Sequence, residues 1–180
     1  MADEEHVAVM QLAEKFARQA ARPNSLFVIG AKHERERDAC WILLQALGRE
    51  QTNITSRDNP DCEFRLDGQR VGVEVTELTD ERHIRRVMRG RPSDVTLWSD
   101  TEAMRHLQAC INKKAAKSWA EDETKWHRRW LAIVCDEPHL GTSRWSGMFE
   151  AARLNRHWFD RVFVITYDPG RSRYAVCEVP

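Results

Sequence analysis

Hydrophobic residues follow helical spacing in four stretches of this chain. Apolar side chains that recur every three to four residues predict helices, because one face of a helix then meets the core. Ser99 and Glu102 form a capping box at the start of one of these helices. Pro23 and Gly48 end two others. The predicted helices cover residues 4–22, residues 31–47, a stretch that opens at Ser99, and residues 145–157.

Other stretches show the pattern of strands. Residues 70–78 alternate strictly, with valines on one face of the predicted strand and Gly72, Glu74 and Thr76 on the other. Asp67-Gly68 supplies a tight turn before this strand, because glycine tolerates a positive φ. The remaining predicted strands cover residues 52–55, 62–66, 130–135, 161–167 and 174–179, the last as an edge strand.

The order of these elements favours an α/β protein with a mixed central sheet flanked by helices. The hairpin predicts antiparallel pairing. The long connection through the helix that opens at Ser99 allows the strand at 130–135 to run parallel to a neighbour. We expect one domain over residues 1–180, with an N-terminal helical extension over 1–30 and a core over 31–180.

Composition narrows the function classes. The chain has 180 residues, with 28 Lys and Arg against 28 Asp and Glu, so any surface that binds a polyanion must be local. No apolar run is long enough to cross a bilayer, and the acidic N-terminus is not expected to be a signal peptide. The five cysteines are far apart and form no CxxC pair, so we expect reduced thiols and a cytoplasmic protein.

Two acids lie where the interior of a sheet is expected. Asp61 follows Pro60 at the start of the strand at 62–66, and Glu74 is central in the next strand. A buried carboxylate is costly unless it is paired, hydrogen-bonded or bound to a metal. The alternatives are that Asp61 is a turn residue that bonds its own backbone, and that Glu74 lies on a solvated face.

Pro60-Asp61, the hairpin and Glu74-Val75-Thr76 together resemble the PD-(D/E)XK nuclease superfamily, the restriction-endonuclease-like fold. The resemblance covers roughly residues 32–180, and it rests on this short motif and on the order of the elements. It implies a restriction-endonuclease-like core, here with an extra N-terminal helix. It also implies a hydrolase that cuts DNA phosphodiester bonds.

In that family the two acids hold a divalent cation. The resemblance therefore implies Mg2+ or Mn2+ at Asp61 and Glu74, with the Val75 carbonyl as a further ligand. The family also carries a Lys two residues after the second acid, where it orients or activates the attacking water. This sequence has Thr76 at that place, and its neutral hydroxyl can at most hold a water by hydrogen bonding.

Some branches of the family carry the missing Lys on the helix after the motif strand. In this sequence that helix contains Lys113, Lys114 and Lys117. Packing of Leu107 and Ile111 on the sheet favours Lys114 as the side chain that enters the acidic pocket, followed by Lys113 and Lys117. The alternative is a solvated cationic face of the helix.

Family members often present a Glu from the helix before the hairpin toward the metal. Glu36 shares the inward stripe of Ala39 and Leu43, whereas Glu34 fits that stripe less well. The alternative for either acid is an exposed position in the first turn, where the helix dipole favours negative charge.

A cluster of arginines directly follows the motif strand. Arginine can pair with phosphate oxygens in a bidentate way, so this cluster is the best candidate in the sequence for contact with nucleic acid. A cationic loop without a partner is the alternative. The cluster consists of Arg82, Arg85, Arg86, Arg89 and Arg91.

The sequence is consistent with two functions. The first is a magnesium-dependent endonuclease that acts on DNA, as a single copy or as a homodimer, away from any membrane. The second is a catalytically inactive module of the same fold that binds nucleic acid or a protein partner. Thr76 keeps the second interpretation open, because it removes the usual catalytic Lys.

Replacing Arg85, Arg86 and Arg89 together by Ala should weaken binding to DNA and flatten its salt dependence, because fewer counterions are then released. The measurement is the slope of log affinity against log salt concentration. An unchanged slope would move the nucleic-acid surface to another face of the protein.

Overall fold

The computed structural model describes residues 32–49, 52–80, 97–117, 126–135, 137, 139–168 and 173–180. Its helices are α1 (Lys32–Ala46), α2 (Asp100–Ala115) and α3 (Thr142–Ala151). Its strands are β1 (Thr55–Ser56), β2 (Cys62–Leu66), β3 (Gln69–Leu78), β4 (Arg128–Cys135), β5 (Arg161–Asp168) and β6 (Arg173–Glu178). The predicted helix at 4–22 lies outside the described residues.

All six strands form one mixed sheet in the order β1-β2-β3-β4-β5-β6. The first three strands pair antiparallel, β3, β4 and β5 run parallel, and β6 returns antiparallel at the edge. The predicted α/β class, the mixed sheet and the parallel placement of the strand at 130–135 are therefore confirmed. The parallel pairings need long connections, and α2 and α3 lie within them.

The two faces of the sheet are covered by different helices. Helix α1 packs Leu43 and Leu44 into one cluster with the β3 valines. Helix α2 packs Leu107 and Ile111, and α3 packs Trp145, into a second cluster on the opposite face. The predicted alternation along β3 is confirmed, since Val71, Val73 and Val75 all face the α1 side.

Helix α2 is held at both ends. Its predicted capping box is present, with the Ser99 hydroxyl accepting from the Glu102 N–H and the Glu102 carboxylate accepting from the Ser99 N–H. At the other end, the Trp158 indole donates to the Ala115 carbonyl at 3.0 Å. Because the last carbonyls of a helix lack partners within it, this bond fixes the turn that follows Lys113 and Lys114.

The predicted ends of helix α3 were wrong. It begins at Thr142 after Gly141 and ends at Ala151, rather than running over 145–157. Residue Ala152 is extended, and the chain beyond it is held by Gln108, which donates to the Asn155 carbonyl and accepts from the Asn155 N–H. These hydrogen bonds to α2 hold the chain beyond Ala152 outside a helix, although its sequence has a helical pattern. The first strand is also displaced, to Thr55–Ser56 instead of 52–55.

Among the helices that the structure describes, none combines the length and the apolar character needed to span a membrane.

Leu107→Ala should lower the free energy of unfolding by about 2–5 kcal/mol, because Leu107 is fully buried between α2 and the sheet. Leu97→Ala is the matched control, since Leu97 is 69% exposed and its loss should change stability by less than about 0.5 kcal/mol. Urea denaturation of both variants measures the difference. Equal losses would contradict the described packing of α2.

Candidate active site

The hairpin places Asp61 where the β2–β3 ladder stops. The last paired residues are Cys62 and Val73, so the next N–H of β3 has no partner on β2. The Asp61 carboxylate supplies the missing hydrogen-bond partner, since its Oδ2 accepts from the Val75 N–H at 2.7 Å. Asp61 is buried and bonds the neighbouring strand, which favours the site interpretation over the turn-residue one.

Lys114 reaches across from α2 to both acids. Its Nζ donates to Glu74 Oε2 at 2.6 Å and to Asp61 Oδ2 at 3.1 Å. All three side chains are buried, with Glu74 and Asp61 each 4% exposed and Lys114 8% exposed. The solvated-face interpretation of Glu74 is therefore wrong, and the predicted approach of Lys114 to the acids is confirmed. The two carboxylates are close enough for one cation to contact both.

Burial and neighbouring charges shift the pKa values of Lys114 and Glu74. Burial alone would lower the pKa of Lys114, but Glu74 and Asp61 outweigh burial and raise it above the usual value. Burial and the neighbouring Asp61 charge raise the pKa of Glu74, although Lys114 opposes both. Lys114 is therefore an ammonium at neutral pH. Two carboxylates facing one ammonium leave the ionised site net negative.

The other two candidate lysines stay at the surface. Lys113 and Lys117 are exposed, so the structure does not bring them between the acids. The Lys117 charge still lowers the pKa of Glu74, which places Lys117 within electrostatic range of the site. Thr76 is half-buried on β3, two residues beyond Glu74.

Glu36 lies beside this group from the opposite helix layer. It is 3% exposed, with Oε1 3.3 Å from Lys32 Nζ and Oε2 3.3 Å from His33 Nδ1. Oε2 is nevertheless buried and accepts no hydrogen bond within the described residues. Burial and the Asp61 charge raise the pKa of Glu36. The first-turn interpretation fits only Glu34, which is exposed.

Two sequence predictions cannot be compared with this geometry. The arginines at 82, 85, 86, 89 and 91 lie outside the described residues. The Val75 carbonyl as a metal ligand stays a prediction, although Asp61 holds the N–H of the same residue.

Sequence reasoning missed the residues next to the acids on the hairpin. Glu63 binds the Arg57 guanidinium and accepts from Arg70 Nη2 at 2.7 Å. Alternation along β2 could have found Glu63, because it lies two residues from Asp61 and so on the same face. The cross-strand register that brings Arg70 to Glu63 was not readable from one strand alone.

The donor set fits magnesium better than a metal that needs a closed protein cage. Magnesium is usually held by one or two carboxylates, with waters and phosphate oxygens completing an octahedron. Asp61 and Glu74 meet that requirement, and Glu36 is a third buried carboxylate within electrostatic range of Asp61. Within the described ranges, no three or more His, Cys, Asp or Glu residues are grouped to hold a metal.

A comparison of the chain with protein-family models, with curated proteins and with solved structures finds no match.

Glu36→Gln should stabilise the protein at pH 7. The pKa of Glu36 is raised on folding, so the folded state resists its ionisation above the unfolded pKa, and Gln removes that cost. The gain should vanish below the ordinary Glu pKa near 4.3, where both states carry the protonated acid. Glu34→Gln is the control, an exposed acid on the same helix, and it should show no comparable dependence. Urea denaturation across pH measures both. A loss of stability of Glu36→Gln at pH 7 would contradict this, because it would show that the ionised Glu36 carboxylate stabilises the folded state.

Proposed function

We propose that this protein is a metal-dependent endonuclease with a restriction-endonuclease-like core that hydrolyses DNA phosphodiester bonds. The observation that carries this proposal is the contact of Lys114 with both Asp61 and Glu74 in a buried site. These are the two motif acids, and Lys114 supplies the cation that the motif lacks at Thr76.

A purely structural role accounts poorly for this cluster. A buried ion pair seldom stabilises more than apolar side chains of the same volume would, because desolvation offsets the attraction. Here three ionisable groups are buried, and they leave an uncompensated negative charge when ionised. Ionisable groups with perturbed pKa values cluster at functional sites, which favours a site that a further cation completes.

Each residue has a distinct role in the proposed reaction. Asp61 and Glu74 would hold Mg2+ or Mn2+, and such an ion would lower the pKa of a nearby water and offset negative charge on the phosphate. Lys114 acts as a hydrogen-bond donor and not as a general base, since its raised pKa keeps it protonated at neutral pH. Its ammonium orients the attacking water and stabilises negative charge on it.

The second candidate is an inactive module of the same fold that binds nucleic acid or a protein. The observation that favours it is the 2.6 Å bond from Lys114 to Glu74, which closes the acidic pair internally. In that case Lys114 neutralises the acids and no cation binds. A cytoplasmic location, and action on DNA as a single copy or a homodimer, belong to the first candidate.

Lys114→Ala should reduce cleavage of plasmid DNA in Mn2+ by about 10²-fold or more, because the donor at the reacting water is lost. DNA binding should remain within a few-fold of the wild type, since Lys114 is buried and away from the surface. Lys113→Ala is the matched control, an exposed lysine one position earlier, and should cleave like the wild type. Nicking of supercoiled plasmid measures cleavage, and thermal unfolding confirms that each variant is folded.

Removing Lys114 leaves two buried carboxylates unpaired and can cost about 3–5 kcal/mol of stability. Glu74→Gln therefore serves as a second variant, because it removes one metal ligand and one buried charge together. Cleavage by folded Lys114→Ala at the wild-type rate would rule out the role of Lys114. A wild-type protein that binds neither Mg2+ nor Mn2+ in a calorimetric titration, and nicks nothing, would favour the inactive module.

A further inference from the structure

The face of the hairpin that carries the acids continues into a basic surface. Residues directly opposite one another on paired strands project to the same face. Beyond Asp61 and Glu74, the pairs toward the turn on this face are Glu63 with Gly72 and then Arg65 with Arg70. The charge along the hairpin therefore changes from negative at the site to positive at the turn.

Within the described residues, Glu63 offsets only part of the positive charge at this end. Arg65 and Arg70 are directly opposite each other, and like charges in that position repel. Glu63 is the only carboxylate in these two cross-strand pairs, and it is shared between Arg57 and Arg70. Arg65 is exposed and donates to the Gly68 carbonyl at 3.3 Å, which leaves its charge uncompensated by that contact.

The neighbouring elements fix one of these arginines and add another cation. The Arg70 guanidinium lies 4.2 Å from the centre of the Trp126 ring, a cation–π contact that orients it. The Arg70 N–H also donates to His127 Nδ1 at 3.2 Å, which ties this end of β3 to the chain that leads into β4. Lys117 lies on the α2 side of the site, within electrostatic range of Glu74.

From these placements we propose that the α2-facing side of the hairpin binds the phosphate backbone of duplex DNA through Arg65 and Arg70, with Arg57 beside them. This inference rests on the proposed function for its substrate and adds the surface that holds it. Arginine suits this role because its planar fork matches phosphate oxygens. A phosphate near the two arginines would offset the repulsion between their like charges.

The spacing matches a nucleic acid that extends from the acids. Arg65 lies four positions after Asp61, which is about 13 Å at the usual rise of an extended strand. For a duplex whose axis runs along β2, at about 3.4 Å of axis per base pair, this distance places the arginine pair roughly four base pairs from the bond that is cut. Contacts of this kind fix the register of DNA without reading its sequence.

The test measures binding separately from cleavage. A fluorescein-labelled duplex DNA of mixed sequence is titrated with the full chain at several salt concentrations, once with Ca2+ and once with EDTA. The variant is Arg65→Gln with Arg70→Gln, which keeps the aliphatic part of each side chain. The control is Arg105→Gln with Arg153→Gln, which removes two exposed arginines elsewhere. Arg105 lies nine residues before Lys114, two and a half helical turns away, and so on the opposite side of α2.

The hairpin variant should bind more weakly, and its slope of log affinity against log salt should fall by about 1.8, close to 0.9 for each lost phosphate contact. The control should keep the wild-type slope. If the double variant does not fold, Arg65→Gln alone should lose about half as much slope. Equal slopes for the folded hairpin variant and the control would overturn the proposal.

The outcomes separate this surface from the nuclease activity. If the hairpin variant shows the predicted loss of slope but the wild-type protein nicks no plasmid in Mn2+, the DNA-binding surface is supported and the nuclease activity is rejected. If the wild-type protein nicks plasmid but the hairpin variant binds DNA like the control, the nuclease activity is supported and the proposed DNA-binding surface is rejected. Wild-type protein that fails to bind duplex DNA in either condition would reject the surface.

Discussion

The burial of Asp61, Glu74 and Lys114 is the constraint on which the site and much of the fold depend. An isolated charge inside a protein is too costly to persist, so each of these groups requires the other two in place. Glu74 lies on β3 and Asp61 directly precedes β2, whereas Lys114 lies on α2, 40 residues after Glu74. The hairpin and the crossover must therefore both be correctly packed before any of the three charges is compensated.

The mixed sheet satisfies this requirement through two kinds of pairing. Antiparallel pairing of β2 with β3 sets the acids side by side, and the Asp61 carboxylate takes over where the ladder ends. Parallel pairing of β3 with β4 requires a long connection, which carries α2 across the face of the sheet where Glu74 projects. The hydrogen bond from Trp158 to the Ala115 carbonyl then holds the last turn of α2, which fixes the position of Lys114 over β3.

Negative and positive charges are separated along one face of the hairpin. Asp61 and Glu74 lie near α2, and Arg65 and Arg70 lie near the turn. With equal numbers of acidic and basic residues in the chain, a polyanion can be attracted only where the charges are unevenly distributed. The hairpin provides such a gradient within one pair of strands, and it runs from the proposed cation site toward the proposed DNA surface.

Local features were predictable from the sequence because their causes lie within a few residues. The Ser99 capping box and the alternation of Val71, Val73 and Val75 set the start of α2 and the faces of β3 before any tertiary contact. The motif also selected Asp61 and Glu74 as candidate site residues, and both are buried in contact with Lys114. Lys113, Lys114 and Lys117 all fitted the missing cation by helical spacing, and only the docking of α2 on the sheet buried Lys114 and left Lys113 exposed. The end of α3 likewise depended on Gln108 of α2, a partner distant in sequence whose position is set by the packing of α2 on the sheet.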